Sequence, residues 1–111
     1  MEKILADRGE ITAVFAMADV MALGAMRCIR DHGLRIPEDI SVAGFDGLPY
    51  GQYFIPRLTT VAQSAVALAE TSYRVLREQI ATGRTRHISV PVSLTAGSSV
   101  GPVPAPAEKA E

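Results

Sequence analysis

Gly33-Leu34-Arg35-Ile36-Pro37-Glu38-Asp39-Ile40-Ser41-Val42-Ala43-Gly44-Phe45-Asp46-Gly47 packs a helix stop, a turn and a buried strand into one run. Gly33 suits the left-handed residue that ends a helix, with Leu34 folding back against it, and Pro37 forbids continuation. Ile40 to Phe45 is a short apolar run of the kind buried in parallel sheets, and it ends on the acid-glycine pair Asp46-Gly47. Upstream, helical spacing starts at Asp19, where exposed N–H groups favour a carboxylate as cap or first-turn acid. Met21, Ala25, Cys28 and Ile29 form one apolar stripe of that helix, and Val20, Leu23 and Met26 a second. Two stripes predict two packing partners.

Further upstream, Ile11 to Ala16 reads as a strand buried on both faces, and Met1 to Asp7 as the end of a helix stopped at Gly9. Downstream, Pro49, Gly51 and Pro56 break any period between Leu48 and Arg57. Leu58 to Val61 is extended. A helix is expected from Ser64 to Thr82, with Leu68, Ser72, Val75, Leu76 and Ile80 inward and Gly83 as its stop. Ile88 to Leu94 is the last strand, and its Pro91 suggests a sheet edge or a crossing between sheets. Residues 102–111 read as a Pro/Ala-rich disordered tail. Alternating strands and helices of these lengths argue for an α/β fold with parallel neighbouring strands.

Composition narrows the functions. The chain has 111 residues, 48% of them hydrophobic, which suits one compact domain. Eleven basic against twelve acidic residues leave a net charge of −1, without the electrostatic footprint of a nucleic-acid or anionic-membrane binder. Arg84-Thr85-Arg86-His87 is the one dense basic patch and reads as a solvated turn. Cys28 is the single cysteine and sits in a helical pattern as a small hydrophobe, in keeping with a reducing compartment. The charged N-terminus does not read as a secretory signal, and the cytoplasm is the expected location. Neither a metal cluster nor a phosphate loop is legible, so no cofactor is expected.

Right-handed crossovers bring successive strand ends to one sheet edge. Asp19 follows the first strand and Asp46 ends the second, so both carboxylates are expected on the edge where open α/β sheets bind ligands. There they could accept hydrogen bonds from the hydroxyls of a sugar or from ring N–H groups. Gln63, after the extended crossover, offers a donor and an acceptor to the same cleft. Alone, each residue has a structural alternative: Asp19 as a helix cap, Asp46-Gly47 as a common turn.

The order of four segments is similar throughout to the lac-repressor (LacI/GalR) family. These are Ala18-Asp19-Val20-Met21-Ala22-Leu23-Gly24-Ala25, Gly33 to Asp46 as quoted, Pro56-Arg57-Leu58-Thr59-Thr60-Val61-Ala62-Gln63, and Val90-Pro91-Val92-Ser93-Leu94. The resemblance covers residues 11–102. It implies a periplasmic-binding-protein-like (type I) effector domain of two Rossmann-like lobes joined by three crossover strands, with a sugar or nucleobase held between them. On that reading residues 1–101 are the C-terminal, partial effector-binding and dimerisation domain. Residues 11–55 come from the second lobe and 63–95 from the first, and apolar surface is left uncovered. The resemblance carries an effector contact onto Asp46 and, by position, onto Gln63 and Asp19. It also places Leu23, Tyr53 and Phe54 at a homodimer interface; the alternative for the two aromatics is that they fold under their own loop. The asparagine usual before the family's acid is Ala18 here. The arginine after its last strand is Gly97, a change expected to weaken closure of the C-terminal crossover.

The resemblance thus implies the ligand-sensing and dimerisation portion of a transcriptional regulator, cut off from the N-terminal DNA-binding head through which the family meets DNA. A fragment of a periplasmic sugar-binding transport protein is the alternative. An enzyme using Asp19 and Asp46 as an acid/base pair is the third reading. It has no nucleophile or paired histidine behind it, so no catalytic residue is assigned.

Overall fold

A computed structural model of the chain describes residues 1–6 and 11–103. In chain order the elements are α1 (Glu2–Ala6), β1 (Ala13–Phe15), α2 (Asp19–Asp31), β2 (Ser41–Asp46), a 3-10 turn (Pro49–Tyr53), β3 (Thr59–Gln63), α3 (Ala65–Thr82) and β4 (Val92–Thr95). They build a mixed α/β fold on a four-stranded sheet in the order β1-β2-β3-β4. β1, β2 and β3 run parallel, and β4 closes the edge antiparallel to β3.

The stop after α2 forms as read. Gly33 has φ of 74°. Its N–H donates to Arg30 O, and Leu34 N–H donates to Ile29 O, the pair of bonds that satisfies the last carbonyls of a helix. Leu34 packs against the core. Asp39 then braces the turn into β2, its carboxylate accepting from the Arg35 backbone N–H at 2.8 Å and from the Arg35 guanidinium at 2.9 and 3.0 Å. Those contacts, hydrogen bond first and Coulomb attraction second, hold the Arg35 pKa above its ordinary value.

The face of α2 that meets the sheet differs from both stripes read in the sequence. Ala22, Ala25, Met26 and Ile29 are buried, while Val20 and Met21 are exposed. Small side chains at 22 and 25 let the helix lie close to β2, whose Val42 and Gly44 are buried beneath it. Ile29, Ile40 and Val42 are fully buried; burial of each such side chain stabilises by about 1.5–3 kcal/mol.

Several expectations are corrected. β1 is not covered on both faces: Phe15 stays 61% exposed, because α2 packs on one side of the sheet only. The long helix has the predicted ends, with Ser64 Oγ accepting from Ala67 N–H and Gly83 at φ 70°. Its predicted inward face is not buried, however. No residue of α3 is buried, and Ile80 is 78% exposed. The last strand begins only after Pro91 and lies at the sheet edge. The expected stop at Gly9 and residues 104–111 of the tail lie outside the described residues.

Gly97 brings tighter closure than expected. A Cβ there would stand 2.6 Å from both the carbonyl carbon and the oxygen of Leu58, so the close approach demands glycine. The segment it opens is laced to the N-terminal ends of β2 and β3. Ser98 N–H donates to Arg57 O at 2.7 Å. The fully buried Ser99 hydroxyl donates to Val42 O at 2.6 Å and accepts from Thr59 N–H at 2.8 Å. Nothing in the pattern of the sequence singled Ser99 out.

Candidate functional site

The parallel strands β1, β2 and β3 point their C-terminal ends to one rim, and Asp46 and Gln63 are the last residues of β2 and β3. The register sets Asp46 beside Ala62. In a regular pleat, therefore, Asp46 and Gln63 would face opposite sides of the sheet. They do not, because Asp46 leaves the pleat with φ of 118°. That conformation is costly for a residue with a side chain, about 1–3 kcal/mol, and such strain clusters at functional sites. Gln63 Nε2 donates to Asp46 Oδ1 at 3.0 Å. Both residues remain partly exposed, and Asp46 Oδ2 has no hydrogen bond among the described residues.

Gly47 completes the turn at φ 75°, where a Cβ would meet Ala62 Cα at 2.6 Å. The acid-glycine pair is therefore a tight reversal drawn down onto β3, and it aims the carboxylate along the rim. Chemically the pair offers an ionised acceptor and an amide with both donor and acceptor capacity, a set suited to vicinal hydroxyls or ring N–H groups.

Asp19 is the first-turn acid of α2, as one of its readings had it, and not the helix cap. The cap position belongs to Ala18, which makes no side-chain cap hydrogen bond. Asp19 is fully buried. Its Oδ2 accepts from Leu48 N–H at 2.7 Å and its Oδ1 from the Thr60 hydroxyl at 2.6 Å. It lies behind the rim rather than on it, with both oxygens taken. Two short charge-assisted bonds offset the cost of burying the carboxylate. The Thr60 contribution was missed because a threonine in a strand looks like ordinary β-former sequence.

Of the aromatic candidates, Tyr53 is 78% exposed and Phe54 is exposed to a lesser degree. Tyr53 thus does not fold under its loop. Arg30 donates to Ile55 O at 2.6 Å, tying this loop to the end of α2. Leu23 packs partly against the core. His32 Nδ1 lies 2.8 Å from Cys28 O, its own helix. Among the described residues no group of three or more His, Cys, Asp or Glu could hold a metal ion, and no helix is long and apolar enough to cross a membrane.

Strand order, the one-sided helix layer and the acidic rim define part of a type I periplasmic-binding-protein-like effector fold. Residues 2–100 match the periplasmic binding protein-like domain family. The chain is 43% identical over 95 residues to the HTH-type transcriptional regulator MalR of Clostridium butyricum, covering 85% of this chain and 28% of that protein. It is 41% identical over 92 residues to the repressor PurR of Erwinia tasmaniensis, covering 83% of this chain and 27% of that one. Among solved structures, a LacI family regulator from Enterococcus faecalis V583 with bound ribose superposes with a TM-score of 0.79 at 34% identity, over 91% of this chain and 38% of that one. The lac repressor dimer bound to operator and the anti-inducer ONPF gives 0.78 at 36%, over 88% and 35%. The chain belongs to the periplasmic binding protein-like domain family, and over most of its length it is similar to part of LacI-type transcriptional regulators. It spans under a third of the length of these curated relatives.

Proposed function

We propose that this chain carries the ligand-sensing part of a LacI-type regulator and binds a small polar effector, a sugar, through Asp46 and Gln63. The observation that carries the reading is the pairing of these two side chains across 3.0 Å at the carboxyl rim of a parallel sheet. A strained acid oriented by a neighbouring amide is pre-organised to receive hydroxyl donors. Similar proteins have been solved with ribose and with cellobiose, which makes these two sugars the first probes. Asp19, buried and fully bonded, supports this site without touching the effector. Leu23, Tyr53 and Phe54 are proposed to meet a second copy of the chain, since Tyr53 offers an exposed aromatic on a loop fixed by Arg30. On this reading the protein regulates transcription in the cytoplasm, performs no catalysis and needs no cofactor, and any contact with DNA is made outside these residues.

The test is calorimetry with D-ribose and with cellobiose against the chain and its Asp46→Ala variant. Saturable binding that disappears in the variant supports the assignment. Equal affinity in both proteins removes Asp46 from the site.

A further inference from the structure

Asp19 is buried to the last atom, carries no cap bond and meets no cation at hydrogen-bond distance among the described residues, yet it is ionisable and holds two short hydrogen bonds. Helix capping does not account for it. The two donors it binds come from the two segments that carry the candidate site. Leu48 follows Asp46 by two residues and is the exit of the Asp46-Gly47 turn. Thr60 precedes Gln63 by three residues in β3. We propose that Asp19 is a positioning residue, whose carboxylate clamps the turn bearing Asp46 to the strand bearing Gln63 and so fixes the spacing of the pair.

The chemistry asks for an acid at this position. One carboxylate oxygen accepts the Leu48 N–H and the other the Thr60 hydroxyl, so both ends of the clamp are acceptors. An asparagine of the same shape would turn an N–H2 group toward one of those donors. The space for the clamp is supplied by Gly44, opposite Thr60 in the register, where any Cβ would collide with Asp19 Oδ1. The turn needs such a tether because Asp46 at φ 118° and Gly47 at φ 75° do not continue the strand. A strained backbone persists only when its surroundings over-determine it.

The proposal rests on Asp46 and Gln63 being the effector contact, and the experiment separates the two claims. In the 15N-labelled 111-residue chain, the Gln63 side-chain amide signals report the bond to Asp46 without any ligand. Asp46→Ala fixes their unbonded position. Asp19→Asn and Thr60→Val are expected to move the Gln63 signals to that position, while Thr60→Ser, which keeps the hydroxyl, leaves them at the wild-type position. With D-ribose as probe, the two disrupting variants are expected to raise the dissociation constant about ten-fold and Thr60→Ser to leave it unchanged. A merely structural carboxylate would lower the melting temperature in Asp19→Asn and leave the Gln63 signals in place, and that result overturns the proposal. Loss of folding in Asp19→Asn and Thr60→Val alike overturns it too, by assigning the carboxylate to the whole fold. Gln63 signals that respond as expected in a chain indifferent to ribose support the clamp and count against the sugar alone.

Discussion

Gln63 donates to Asp46 across 3.0 Å although the register of β2 and β3 would place them on opposite faces of the sheet. The meeting coincides with a departure of Asp46 from extended backbone, at φ 118°. Asp46 spends conformational energy at φ 118° to stand where its carboxylate is oriented by an amide and open along the rim. If Asp46 is the effector contact proposed above, stability and function are opposed at this residue.

Asp46→Gly tests that opposition. Glycine adopts positive φ without the steric cost, while it loses the bond to Gln63 and gains unfolded-state entropy. The terms nearly cancel, and the variant is expected within about 1 kcal/mol of wild type in urea unfolding while losing effector binding. A loss of several kcal/mol would mean that Asp46 belongs to the core of the fold.

Gly44→Ala places a methyl group against the Asp19 carboxylate, 3.2 Å from Leu58 Cδ2 and 3.3 Å from Ala22 Cβ. The Asp19 carboxylate and Ala22 cannot move without disturbing the clamp or α2. Thermal melting is expected to show destabilisation of about 1–3 kcal/mol, the usual range for an overpacked core.

Ser99→Ala removes one hydroxyl and leaves both Thr59 N–H and Val42 O short of a partner behind the sheet. An orphaned buried group costs about 1–3 kcal/mol, and the part-buried Thr59 N–H stands at the low end of that range, so a loss of about 2–4 kcal/mol is expected. Ser98→Ala frays only an exposed contact to Arg57 N–H and should cost less. Denaturant midpoints of the two variants rank them.

Leu68, Leu76 and Ile80 of α3 and Val92 and Leu94 of β4 are exposed together with Phe15. A hollow of 750 Å³ between α1 and α2 is lined mostly by apolar residues, Phe15 among them, and one of 610 Å³ between α3 and residues 86–90 by Leu68, Val75 and Leu76 alongside polar groups. Apolar surface of this extent favours association. Light scattering on the purified 111-residue chain is expected to report species larger than a monomer. A monodisperse monomer with a cooperative melt would show that these faces tolerate water.

What the sequence disclosed and what it hid divide along local and non-local physics. Gly33, Gly83 and Ser64 announced the helix ends because capping is decided within a turn of chain. Asp46 and Gln63 could be placed on one rim because right-handed connections order parallel strands. Their direct bond was hidden, since it requires the positive φ of Asp46, which neighbouring residues do not encode. Ala22 escaped the stripes of α2 because its burial follows from the closeness of β2 rather than from its own hydrophobicity. Asp19 kept two readings in the sequence because its partners, Leu48 and Thr60, are distant in the chain. Gly97 looked like a lost arginine until the backbone of Leu58 was found against it.

The most direct measurement of the sensing role is an NMR titration of the 15N-labelled chain with D-ribose and with cellobiose. Saturable shifts centred on the Asp46 backbone and the Gln63 side-chain amide, absent in Asp46→Ala, are the expected result. Saturable shifts elsewhere with both groups unmoved, or no response to either sugar, would contradict a sugar site on this rim.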